Sequence, residues 1–550
     1  MSALRFLFQG RFLALTACCT ASVIFGLVLI FHPESGWASV FLFALAAGLT
    51  LLGLRDISQT GHSVLRNYPI LGHLRFLFET IRPEIRQYFF EADTDGVPFS
   101  RDKRAIVYQR AKRALDKRPF GTQLDVYAGA YEWVHHSMAP KPLAKEPFRI
   151  MIGGADCTAP YSASILNISA MSYGALSANA IMALNHGARM GDFAHDTGEG
   201  SISPYHRMHG GDLIWELGSG YFGCRDGEGR FSPETFAAVA VDPQIKMIEI
   251  KLSQGAKPGH GGVLPAAKVT AEIAAIRGVE MGRDCVSPAA HSAFATPVEL
   301  LHFILQLRRL SGGKPVGLKL CIGHSHEFFG LVKAMLETGI TPDFIVVDGK
   351  EGGTGAAPLE FMDHVGTPLR EGLSFVHSAL VGANLRGRIR LGCSGKIATA
   401  FDMARLMALG ADWCNAARSF MFSLGCIQAQ QCHTGECPTG VATQDPLRQR
   451  ALVVADKARR VHSFHQETLK ALAELVSTAG LEHPGDLQPS HFMLRTSDNR
   501  VVTFDQQYPC LAPGQLLESA QGLPLPEHLA KAWAMARSCN FAPHPSQASA

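Results

Sequence analysis

Net charge is nearly absent from this chain: 51 Lys and Arg stand against 48 Asp and Glu in 550 residues, leaving +3. That is too little to mark a nucleic-acid surface. No GxGxxG fingerprint sits between a strand and a helix, so direct use of NAD(P)H from a Rossmann domain of this chain is not expected. The 13 cysteines are odd in number and lack the dense, regular spacing of a secreted disulfide scaffold, which argues for a reducing compartment. Residues 56–147 hold no catalytic pattern. What the chain has is a hydrophobic fraction of 47% and a charged fraction of 18%. It can bury a sizeable core, in one large domain with appendages or in two to three ordinary ones.

Long apolar runs are present only near the N-terminus. Residues 12–31 and 37–54 carry no charge, and runs of about 20 and about 18 residues are close to what a helix needs to cross a bilayer. Between them HPESG (32–36) holds an acid and no Lys or Arg, whereas Arg5 and Arg11 precede the first run and Arg55 and Arg66 follow the second. The positive-inside rule therefore predicts a two-helix transmembrane hairpin with both ends, and the catalytic domain, on the cytoplasmic side of the membrane. A cleaved signal peptide is disfavoured because a second apolar span follows at once.

Cys426, Cys432 and Cys437 fall in one stretch, GCIQAQQCHTGECPTGVATQ (425–444), with no fourth cysteine between or just beyond them. Thiolates hold iron–sulfur clusters, and a trio separated by five and then four residues can wrap one cluster with one corner left free of sulfur. Electron transfer is the first hypothesis. Spacing alone leaves two others open: three buried, inert thiols, and a zinc site with His433 as fourth ligand, although structural zinc ligands usually come as two pairs.

Beyond residue 147 strand and helix signals alternate. Apolar, β-branched runs occur at 164–172, 192–197, 246–252, 284–287, 315–321, 344–348, 388–392 and 413–418. Amphipathic segments lie between most of them; one, 297–310, opens with Thr296 as N-cap, Pro297 at the first position and Glu299 three residues after the cap. Eight strands with intervening helices predict an α/β chain built on a (β/α)8 TIM barrel, a doubly wound sheet being the alternative. The expected division is a hairpin at 1–55, a connecting region at 56–147, the barrel at 148–446, and a small C-terminal extension at 447–550 comprising a helical stretch and a disordered tail.

In such a barrel the chemistry gathers where strands run into the loops that follow them. Those points here are polar and glycine-rich: SAMSYGALS (169–177), TGEGS (197–201), KLSQGAKPGHGG (251–262), KLC (319–321), DGKEGGTGAAP (348–358) and GCSGK (392–396). Glycine-rich turns let backbone N–H groups approach a phosphate, and the loops after strands seven and eight are the usual phosphate site of the fold. Gly392, Ser394, Gly395, Lys396 and Arg418 are placed to hold one. A lysine projecting into the barrel mouth, such as Lys319, can stabilise an anionic reduced flavin. Lys251 and Lys257, six residues apart around a tight turn with Gln254 between them, can meet the carboxylates of a small substrate.

Taken together and in this order, SAMSYGALS, TGEG, KLSQGAKPGHGG, DGKEGGTGAAP and GC(x5)CH(x3)CP(x)GVATQ resemble the FMN- and 3Fe-4S-binding synthase domain of glutamate synthase. The resemblance covers residues 165–446. It implies a flavin-binding (β/α)8 barrel, a 3Fe-4S cluster on Cys426, Cys432 and Cys437, and a pocket for 2-oxoglutarate and its imine lined by Lys251, Gln254 and Lys257. It further implies FMN held by Ala170, Met171, Ser172 and Lys319 and by the phosphate loops with Asp348, Gly349, Gly352, Gly353, Ser394, Gly395, Lys396 and Arg418. Glu199 matches an acid near the ammonia entry, with a role in proton transfer or ammonia handling.

The implied reaction is reductive amination of 2-oxoglutarate, through 2-iminoglutarate, to L-glutamate. Electrons come from an external donor, ferredoxin or a partner reductase. The family's amidotransferase domain, with its N-terminal cysteine nucleophile, is replaced here by MSALRFLFQG and the apolar runs. Ammonia or another amine then comes from solution or from a separate glutaminase subunit. His260 stands where the large synthases carry Glu, and Ser201 replaces a glycine after TGEG; an imidazole in place of a carboxylate can alter which amine or oxoacid is accepted. Two alternatives follow: a related barrel acting on another amine or glutamate derivative, as in N-methylglutamate-forming systems, and a membrane-bound electron-transfer subunit.

Overall fold

The computed structural model describes residues 9–517 and 524–544. Arg5 and the last six residues of the expected disordered tail lie outside them. The chain divides into two compact units, Met1–Val97 and Pro98–Ala550.

In the first unit, helices Leu13–Phe31 and Gly36–Ser58 pack side by side, with the Ser22 and Thr50 hydroxyls 3.1 Å apart. Both are long and apolar enough to cross a membrane. Their apolar surface stays largely uncovered, Ile30, Phe31 and Leu51 among it. In the connecting region a helix covers Leu71–Ile85, where Leu71, Leu74, Phe78 and Ile81 recur at helical spacing.

The second unit is built on a closed barrel of eight parallel strands: β1 (Leu166–Ile168), β2 (His195–Asp196), β3 (Leu213–Leu217), β4 (Ile245–Lys251), β5 (Val316–Leu320), β6 (Phe344–Asp348), β7 (Arg390–Ser394) and β8 (Trp413–Ala416). Each pairs with its sequence neighbour, and β8 closes on β1 through Cys414 opposite Leu166. Seven of the eight runs read from the sequence are barrel strands. The run at 284–287 is not: Cys285–Val286 pairs antiparallel with Val263–Leu264 as a two-stranded ribbon inside the long β4–β5 connection. The strand that takes its place in the count is β3, LIWEL, which lies one step earlier, between His-Gly-Gly and Gly-Ser-Gly.

Inside the barrel the side chains form layers. The lower one is aromatic. Trp413 stands opposite Gly392 and its ring lies 5.9 Å from that of Phe344. A Cβ on Gly392 would strike Trp413, and one on Gly317 would strike Phe344. Gly392 therefore serves packing rather than the phosphate site. The layer above is charged, because register places Glu216 opposite Glu249 and Lys251 opposite Lys319.

Outer helices are set by local signals. Thr296 and Glu299 form the reciprocal capping box over Pro297–Leu310, and Thr399 and Asp402 do the same over Ala400–Ala408; such caps contribute about 1 kcal/mol each. The C-terminal helical stretch is one helix, Val454–Thr478, packed against Ala178–Gly191 and Arg101–Lys112, with Val461 seated where a Cβ on Gly187 would be. Glu132–Val134 joins Phe492–Arg495 and Val501–Thr503 in a three-stranded antiparallel sheet.

Candidate functional site

The C-terminal ends of the strands bring the glycine loops into direct contact. A Cβ on Gly255 would strike the carbonyl of Gly349, and one on Gly198 would strike the backbone of Met171 and Ser172. The loops after β1, β2, β4 and β6 thus touch through bare backbone, which only glycine permits. Asp348 ties them further: its carboxylate accepts from the amide of Gly255 at 2.7 Å and from the Ser394 hydroxyl. Gly349 N–H donates to the Ser394 carbonyl at 2.8 Å. Asp348 is thereby a brace between loops.

The pocket lies beside these contacts, lined by Glu199, Lys251, Gln254, His260, Gly262 and Pro288 among others. Lys251 ends β4 and points its ammonium at Glu199 (2.7 Å) and Glu216 (3.2 Å). Lys257 is buried on the far side of the turn, whose amide donates to the Gln254 carbonyl at 3.0 Å; burial holds its ammonium below the usual lysine range, opposed by Glu199. Burial alone would raise Glu199, but Lys251, then Arg277 and Lys257, outweigh it and hold the carboxyl below its ordinary range. Glu199 rests as a carboxylate, an acceptor rather than an acid.

Sequence reasoning passed over four residues here. Arg277 ends a helix over Ala271–Arg277 and reaches Ser172 Oγ at 3.4 Å and the Tyr173 carbonyl at 3.1 Å. His291 lies 2.9 Å from the Tyr221 hydroxyl and 2.8 Å from the Lys251 carbonyl. Glu216 and Glu249 belong to the charged layer. Lys319 is not a free cation at the mouth: it pairs with Glu216, lies 3.0 Å from Glu249 and 3.9 Å from Asp196. Asp196, Glu216 and Glu249 place ligand atoms within 4.8 Å of one another. Burial and the neighbouring Asp196 push Glu249 well above the carboxylate range.

Across the mouth, Lys396 takes a left-handed backbone conformation just after β7. Arg418 opens the helix Arg418–Leu424, stacks its guanidinium 4.8 Å over the Phe99 ring and donates to the Glu351 carbonyl. Gly353 lies where a Cβ would press on that guanidinium. Burial lowers Arg418 to about 10, opposed by Asp348 and Glu351; burial and then Arg418 lower Lys396. Two cations that feel one another beside glycine backbone can receive an anion.

The cysteine segment abuts the same mouth. A Cβ on Gly355 would touch Cys432, and Lys268 donates to the carbonyls of Cys432 (2.7 Å), Ala175 and Ala442 (both 3.2 Å). Burial pushes Cys426 up to about 12 and raises Cys432. Burial would raise Cys437 too, but the Thr439 hydroxyl and the amides of Ala442, Thr439 and Val441 hold it below the usual thiol range. Among the described residues these sulfurs do not converge on a point as three ligands of a single ion do.

An eight-stranded parallel barrel with a charged pocket at the C-terminal ends of its strands is the architecture of a barrel enzyme. Residues 146–482 match the conserved region of glutamate synthase. The glutamate synthase large subunit-like protein YerD of Bacillus subtilis is 37% identical over 492 residues, 82% of this chain and 93% of that one. The archaeal glutamate synthase (NADPH) of Methanocaldococcus jannaschii is 34% identical over 329 residues, 60% of this chain and 61% of that one. Among solved structures, mandelate oxidase with (S)-2-phenylpropionate aligns at a TM-score of 0.38 and 18% identity, covering 73% of this chain and 97% of that one. The chain belongs to the glutamate synthase family and is a glutamate synthase-like oxidoreductase.

Proposed function

We propose that this chain is a membrane-anchored enzyme that reductively aminates 2-oxoglutarate, through 2-iminoglutarate, to L-glutamate, with FMN at the barrel mouth and a 3Fe-4S cluster on Cys426, Cys432 and Cys437. The observation that carries the reading is the grouping of Lys251, Lys257 and Arg277 around the ionised Glu199. A dicarboxylate needs fixed cations, and a lysine already paired with a carboxylate can exchange that partner for a substrate carboxylate without leaving a buried charge alone. On such an exchange Glu199 loses its strongest cation and becomes the better base, placed to take a proton from the entering ammonium.

FMN fits the residues present: Ala170, Met171 and Ser172 would border its ring with Lys319, and Gly349, Gly352, Gly353, Ser394, Gly395, Lys396 and Arg418 would hold its phosphate. Bound there, FMN supplies the hydride. The chain's part is to pin both carboxylates so that the imine carbon faces one direction, and to keep water from the imine. For the cluster, each thiolate takes a different iron, so its sulfurs stand wider apart than those around one ion. Lys268 and the amides at Cys437 favour the thiolate charge such a site requires.

Helices Leu13–Phe31 and Gly36–Ser58 supply the anchor, and Arg11, Arg55 and Arg66 place the barrel on the cytoplasmic side of the membrane. Electrons come from an external donor, ferredoxin or a partner reductase. Ammonia comes from solution or a separate glutaminase subunit. A second reading, another amine as substrate, is favoured by His260, whose ring lies in the pocket wall against Phe361 at 5.3 Å. Turnover of 2-oxoglutarate by chemically reduced enzyme, measured with ammonia, glutamine and methylamine, separates the two: ammonia-dependent glutamate is the expected result. Methylamine alone being used moves the assignment to the second reading, and no turnover with any of them contradicts both.

A further inference from the structure

The charged layer of the barrel is a continuous chain of ion pairs that starts in the pocket and ends beneath the mouth. Glu199 holds Lys251, Lys251 holds Glu216, and Glu216 holds Lys319. Glu216 is the central link. Its side chain is 1% exposed, with Oε1 at 3.2 Å from the Lys251 ammonium and Oε2 on the Lys319 ammonium. The arrangement follows from register, since Lys251 and Lys319 are direct neighbours across β4 and β5 while Glu216 comes from β3 on the other side of β4. Two lysines placed side by side in a barrel interior require an anion between them.

The other acids near Lys319 do not replace Glu216. Glu249, at 3.0 Å, and Asp196, at 3.9 Å, pair with Lys319 alone, whereas the acids paired with Lys251 are Glu199 and Glu216. Among the described residues, Glu216 is the acid that pairs with both lysines.

We propose that Glu216 is a common counter-ion through which a dicarboxylate in the pocket and electrons on the flavin oppose one another. This rests on the reading above, in which Lys251 meets a substrate carboxylate and Lys319 lies beside the flavin. A dicarboxylate that takes Lys251 displaces Glu216 toward Lys319, which is then less able to stabilise a negative reduced ring. Conversely, a reduced ring that draws Lys319 returns Glu216 to Lys251, where it competes with the incoming carboxylate. The low dielectric of the barrel makes these exchanges strong, and linkage makes them equal in size. Substrate arrival therefore renders the reduced flavin a stronger hydride donor at the moment one is needed.

The test is a spectroelectrochemical titration of the flavin in the full-length, detergent-purified, cofactor-loaded protein, with and without saturating glutarate, a dicarboxylate with no keto group to reduce. Glutarate is expected to bind the oxidised form about tenfold more tightly than the reduced form. That corresponds to a fall in midpoint potential of about 30 mV for a two-electron couple. In Glu216→Gln the fall shrinks to less than about a third of this, the remainder being direct repulsion between ligand and ring.

Should Glu216→Gln fail to retain flavin, Glu216→Asp decides instead, since it keeps the charge but withdraws it by one methylene. Its shift drops below half the wild-type value if one carboxylate spans both lysines. A wild-type potential unmoved by bound glutarate, or a variant shift equal to wild type, overturns the proposal while leaving the proposed reaction intact. A wild-type chain that binds neither flavin nor glutarate removes that reaction and the proposal with it.

Discussion

Lys251→Ala is expected to lower turnover of 2-oxoglutarate by about a hundredfold or more. The scale is that of one or two charge-assisted hydrogen bonds at about 1.5–3 kcal/mol each. The fall should appear in kcat/KM, since a dicarboxylate loses both its anchor and its orientation when the lysine is gone. FMN and iron content should stay at wild-type levels: Lys251 is at the rim of the charged layer, its side chain 11% exposed against 5% for Lys319, and Lys319 still neutralises Glu216. A strong chemical donor should still reduce flavin and cluster, the flavin at a lower potential because Glu216 then rests on Lys319 alone. That pattern separates an enzyme from an electron carrier, which has no use for a carboxylate pocket; a variant with full turnover would favour the carrier.

Cys437→Ala is expected to reduce bound iron by about tenfold or more and donor-driven turnover to background. Even changes in groups that merely support metal ligands cost 10–100-fold in affinity. Among the three thiols, Cys437 is the one the fold already holds below its usual range, through Thr439 and three amides. Cys426 and Cys432 are pushed the other way by burial and must lose their protons to iron. Removing Cys437 deletes the thiol that gives up its proton most readily of the three. Flavin content should persist, because the proposed phosphate site around Arg418 and Lys396 does not involve the cysteines. Reduction with dithionite should then bypass the defect and restore imine reduction in a single turnover. Iron and donor-driven activity at wild-type levels would show that the cysteines are inert.

Local signals were the legible part of the fold. Thr296, Pro297 and Glu299 mark a helix whose observed bounds are Pro297–Leu310, and the run at 344–348 is β6 itself. Both depend on residues next to one another in the chain. The missed β3 has its own boundary signal, glycines on both sides of LIWEL, but it is only five residues long, has Ile214 as its one β-branched residue and carries an acid, Glu216, on its inward face. The consequence is specific. Glu216 lies on that strand, and without it the two lysines of β4 and β5 have no visible partner.

The candidate site was readable as loops and unreadable as contacts. Glycine motifs at successive strand ends pointed to the mouth, and the structure brings Glu199, Lys251, Lys257 and Gln254 together there. Arg277 escaped notice because IRGVEMGRD reads as a solvated helix end, whereas the chain folds its guanidinium under Ser172 and Tyr173. Lys319 was identified as a cation, but its pairing with Glu216 and its proximity to Glu249 and Asp196 depend on barrel register and separations of 70 to 123 residues. Ser201, found where a glycine was expected, does adopt a left-handed backbone; the position asks for glycine for conformational reasons, whatever the chemistry beside it.

An anaerobic optical and EPR spectrum of the detergent-purified full-length chain, with released FMN and iron counted per polypeptide, bears most directly on the account. One FMN and three irons per chain, with flavin absorbance and the paramagnetic signal of an oxidised three-iron cluster, is the predicted result. Colourless protein free of iron and flavin after anaerobic preparation would contradict it.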